Sequence, residues 1–67
     1  MNEYFTGKFQ GRIPVTTGKR DDADVIENYS DALSISLLMS AVFGGREWQV
    51  GKWVPEDEQE VNYIVYR

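Results

Sequence analysis

The chain is 67 residues long, contains no cysteine and no histidine, and carries a net charge of −4. Disulfides, thiol nucleophiles, imidazole bases and metal sites built on Cys or His are excluded, and most common catalytic arrangements go with them. With 42% hydrophobic and 13% aromatic residues, the chain is too apolar for intrinsic disorder.

A single domain spanning 1–67 is expected, with a stability of about 3–10 kcal/mol at this length. No run approaches the ~18 consecutive apolar residues of a membrane span. Met1, Asn2, Glu3 and Tyr4 lack the basic start and apolar run of a signal peptide. A cytoplasmic setting is the plainer expectation.

In the first segment Phe5, Gly7, Phe9, Gly11, Ile13 and Val15 fall on odd positions, with Tyr4, Thr6, Lys8, Gln10 and Arg12 between them. This period-2 alternation predicts strand with one buried face. A two-residue turn at Gln10-Gly11 would set Phe9 opposite Arg12 and mix core with charge. A strand bent at its glycines, or a three-residue loop pairing Phe9 with Ile13, keeps the pattern. Extended structure throughout is the reading adopted.

Residues 16–20 read as a polar, glycine-containing loop. Asp21, Asp22 and Asp24 then cluster where a helix is expected to begin, capping its free N–H groups and complementing its dipole. Ile26, Tyr29, Leu33, Leu37 and Ala41 trace a helical stripe that ends at Gly44-Gly45. A competing reading makes residues 23–28 a short strand, with Ser30 capping a helix from Asp31.

Residues 47–54 read as a strand ended by Pro55, residues 55–60 as a charged connection, and residues 61–66 as a final β-branched and aromatic strand. The fold class is therefore α+β: a small antiparallel sheet of three to four strands with one helix across one face, in the order β(β)-α-β-β.

The candidate chemical motifs are weak. The Asp21, Asp22, Asp24 cluster resembles the start of a calcium loop, but such loops need Gly at position 6 and Glu at position 12. Those places hold Ile26 and Ala32. Glu56, Asp57, Glu58 and Glu60 lack the apolar surroundings that would split their acidities for acid–base work. Thr17-Gly18-Lys19 lacks the first Gly and the closing Ser/Thr of a phosphate loop. No metal, no cofactor and no catalysis is expected.

Two surfaces stand out. If the helix begins near Asp22, then Asp21, Asp22, Asp24, Glu56, Asp57, Glu58 and Glu60 share one end and form an acidic edge suited to a basic surface on another protein. If residues 23–28 are a strand, that concentrated patch largely disappears. On the helix, Ile35, Leu38, Met39 and Val42 lie opposite the Leu33/Leu37 stripe, an excess of apolar surface that predicts a homodimer.

The expected function is a non-catalytic acidic module that inhibits or modulates a host protein, as accessory proteins of phages and mobile elements do. The alternative is a nucleic-acid-binding or regulatory protein using a Tyr4/Lys8/Arg12 sheet face. The acidic balance opposes it, because phosphate binding depends on positive charge.

Overall fold

Two glycines shape the first hairpin. The computed structural model describes residues 2–54 and 61–67, beginning with β1 (Tyr4–Gln10) and β2 (Ile13–Thr17). Gln10 pairs with Ile13, so the turn is Gly11-Arg12. Gly11 takes φ 65° while Arg12 stays at negative φ, the pattern of a type II′ hairpin turn, whose twist matches the flanking strands. Gly7, at φ 80°, marks a bulge between the Phe5 and Phe9 pairings. The Thr6 hydroxyl lies at this bulge, donating to the Val15 carbonyl at 2.8 Å and accepting from the Lys8 N–H at 3.3 Å.

The two-residue turn overturns the expected alternation, because pairing Gln10 with Ile13 puts Ile13 on the face opposite Phe9. Phe5 is 3% exposed, but Phe9 is 52% and Ile13 60% exposed. Pro14, paired with Phe9 and on the same face, is buried. The uninterrupted extended segment is thus a bulged hairpin.

The sheet is completed by β3 (Gln49–Trp53) and β4 (Asn62–Tyr66), in the order β2-β1-β4-β3, all antiparallel. One helix, α1 (Tyr29–Phe43), packs across one face, so the expected α+β architecture is the one observed. At ~1.5 Å per residue the helix is about 22 Å long. It does not begin at the aspartates. Asn28 is the N-cap, its side-chain oxygen accepting from the N–H groups of Ser30 at 2.8 Å and Asp31 at 3.4 Å. Asp21 and Asp22 lie in a separate 3-10 turn (Arg20–Asp22).

Residues 24–26 occupy a gap in the sheet. β1 and β4 pair at Tyr4↔Tyr66, and Glu3 and Arg67 exchange backbone bonds of 2.8 and 3.0 Å. Beyond this point another segment lies between the two strands. The Asp24 N–H donates to the Phe5 carbonyl at 2.8 Å, and Ile26 exchanges two 2.7 Å bonds with Tyr63. The competing strand reading of 23–28 is closer to this arrangement, although only Ile26 forms a β-bridge there.

The core joins Phe5, Ile26, Ala32, Met39, Trp48 and Val65, with Ile35, Val50 and Tyr63 packed against it. The helix face that meets the sheet is Ala32, Ser36 and Met39, not Leu33, Leu37 and Ala41. Small residues at 32 and 36 let the helix approach the sheet, and Phe5 and Trp48 supply the bulk. Leucines there would overfill the space. Ser36, 4% exposed, satisfies its hydroxyl on the Leu33 carbonyl at 2.7 Å. Ser40 accepts from the Trp48 N–H at 3.0 Å, tying the helix to the entry of β3.

On the opposite face of the sheet, Tyr4 and Ile64 are buried at 8% and 5% exposure. Arg20 reaches across this face to sit 4.6 Å over the Trp53 ring.

Candidate interaction surfaces

The aspartate cluster does not collect at the helix start. Asp22 lines a shallow recess with Thr6, Lys8, Val15 and Thr17. The half-buried Asp24 carboxylate lies against Gly7, where a Cβ would come within 2.8 Å of its carboxyl carbon. Helix α1 begins elsewhere, beside Tyr63, whose ring meets Tyr29 edge-on at 5.3 Å. The expected link between the aspartates and the helix N-terminus is therefore corrected, because Asn28 makes the better-placed cap. Glu56, Asp57, Glu58 and Glu60, the other half of the expected acidic edge, lie outside the described residues.

What the fold does present is an acidic path. From Asp21 to the helix start the chain carries Asp21, Asp22, Asp24, Glu27 and Asp31, and it has no Lys or Arg before Arg46. All but Asp24 are exposed. Among the described residues the one ion pair is Glu3 with Arg67 at 3.2 Å, and none of these carboxylates takes part in it. Among the described residues no group of three acidic side chains converges to hold a metal ion.

The helix divides the expected dimer surface. Met39 is fully buried and so removed from any contact with another molecule, and the half-buried Ile35 packs against the core. Leu38 and Val42 are exposed, at 44% and 43%. Beside them stand residues the stripe had assigned to the core: Leu33 at 42%, Leu37 at 66%, and an exposed Ala41. The helix is apolar on nearly all sides, so its periodicity does not say which side turns inward. The small residues at 32 and 36 were the available signal.

The Tyr4/Lys8/Arg12 face does not assemble. Lys8 is exposed and lines the recess that Asp22 borders. Tyr4 is buried beside Tyr66, with ring centres 6.3 Å apart, and Arg12 sits in the turn at the far end of β1. Tyr4 instead borders a recess of about 310 Å³ with Tyr66, Ile64, Gly51, Arg20 and Lys52. Among the described residues no carboxylate lines it.

The C-terminal side of the helix is held by Arg67. Its Nη1 donates to the Gly44 carbonyl at 2.9 Å, its Nε to Glu3 at 3.2 Å, and its guanidinium lies 5.0 Å from the Trp48 ring centre. No helix among the described residues is long and apolar enough to cross a membrane. Comparison with protein-family models, curated proteins and solved structures finds no match to this chain.

Proposed function

We propose that this chain is a non-catalytic acidic protein-binding module that docks on a basic surface of another protein and modulates it. The observation behind this reading is the run of exposed carboxylates Asp21, Asp22, Glu27 and Asp31, none of them in an ion pair among the described residues. Exposed carboxylates speed association with a positive partner and reject acidic ones. An inhibitor from a phage or mobile element, acting in the cytoplasm on a host protein, fits this chemistry. The nucleic-acid alternative loses its main support, since Tyr4 is buried and separated from Arg12.

The test is charge reversal of Asp21, Asp22 and Glu27 to lysine, with binding kinetics measured against the host protein that the native chain retains from lysate. The expected result is an association rate lower by about tenfold or more, and a weaker dependence on salt. An unchanged rate overturns the reading.

A further inference from the structure

We propose that the outward face of α1 is the contact between two copies of this chain, paired antiparallel about a two-fold axis at the helix midpoint. This deepens the reading of the chain as a binding module by naming a second copy as one of its partners.

The face consists of Leu33, Ser34, Leu37, Leu38, Ala41 and Val42, all exposed. No charged residue occurs between Asp31 and Arg46. At about 100° per residue, Ser34 and Ala41 lie on the centre line of this face. Leu37 and Leu38 lie midway on either side of that line, and Leu33 and Val42 at its margins. The face reads the same from both ends: a large aliphatic residue, a small one, two leucines, a small one, a large one. A two-fold contact needs such a self-complementary surface, because one patch must serve as both partners. An unrelated partner imposes no such symmetry.

Rotation about the midpoint sets Ser34 of one copy against Ala41 of the other. Small side chains at these points let the helices approach closely, and Leu37 and Leu38 meet their own counterparts across the axis. The charges select the same alignment. The first charged residue before the face is Asp31 and the first after it is Arg46; both are exposed and without an ion pair among the described residues. Antiparallel pairing brings opposite signs and opposed helix dipoles to each end, whereas parallel pairing sets like beside like. The uncharged face also lets two chains of net charge −4 meet without burying carboxylates.

The absence of native cysteine makes the geometry directly readable. Ser34→Cys and Ala41→Cys chains, mixed and oxidised, should form the 34–41 cross-link at least about tenfold faster than either self-link, since proximity raises effective concentration. Leu37→Cys alone should self-link readily. Light scattering of the native chain should give twice 7.7 kDa at concentrations of ~10 μM and above, the range of a micromolar contact. Leu37→Glu should return the mass to 7.7 kDa with unchanged circular dichroism. A monomer at every concentration, or faster 34–34 and 41–41 links, overturns the proposal. The two readings fail separately: Leu37→Glu is expected to keep docking on a basic partner, and the Asp21/Asp22/Glu27 reversal is expected to remain a dimer.

Discussion

Ile26 and Tyr63 exchange both of their backbone hydrogen bonds, each 2.7 Å long, although Ile26 belongs to no strand. Ile26 is also 8% exposed and part of the core. One residue of a connecting segment thus serves the sheet through its backbone and the core through its side chain.

Ile26→Ala is expected to cost about 2–5 kcal/mol, the usual range for truncating a buried aliphatic side chain. Against a total of about 3–10 kcal/mol for a chain this long, urea denaturation should show a variant near or past its midpoint in water. Val54→Ala, at a position 58% exposed, should stay within roughly 0.5 kcal/mol of the native chain.

Asn28 carries the helix start. Asn28→Ala should lower stability by about 0.5–2 kcal/mol, while Asp22→Ala, in the separate 3-10 turn, should be close to neutral. Thermal unfolding of the two variants side by side checks which residue is the cap.

Gly7 combines φ 80° with a space already filled by the Asp24 carboxylate. Gly7→Ala should cost at least about 1–2 kcal/mol through backbone strain alone, and more as Asp24 is displaced. Because the Asp24 N–H is bonded to Phe5, amide exchange at Asp24 should accelerate in the variant beyond the global change.

Arg67 joins the helix end, Glu3 and the Trp48 ring. Arg67→Ala should cost about 1–3 kcal/mol, the value of a hydrogen bond from a charged group, and should shift Trp48 fluorescence. Glu3→Ala should cost only about 0.2–1 kcal/mol, since Glu3 is 45% exposed and an exposed ion pair is worth little.

The elements were legible in the sequence where their signals were local. The β3–β4 segments, the Gly44 stop and the α+β order follow from propensity and glycine placement. What local pattern could not supply was the inward side of a helix apolar on nearly every side. That depends on the bulk of Phe5 and Trp48 across the interface, which makes Ala32 and Ser36 the close-contact positions. The aspartates misled for a related reason. They are good caps by residue type, but residues 24–26 were needed in the sheet, and the helix could begin only after Ile26 had met Tyr63. The alternation runs unbroken through the Gly11-Arg12 turn, whereas pairing with Gln10 sends Ile13 to the face opposite Phe5 and Phe9.

The seam at residues 24–26 also bears on how the molecule assembles. The β1–β2 hairpin is closed by a local turn and can form within ~1–10 μs. The β1–β4 junction must wait for residues 3, 5, 24, 26, 63 and 67 to gather from three distant parts of the chain. Contacts of such high sequence separation come late and slow the whole process. Neither hairpin buries a core without that junction, so the chain contains no half that is stable alone, and folding and unfolding should each proceed in a single cooperative step.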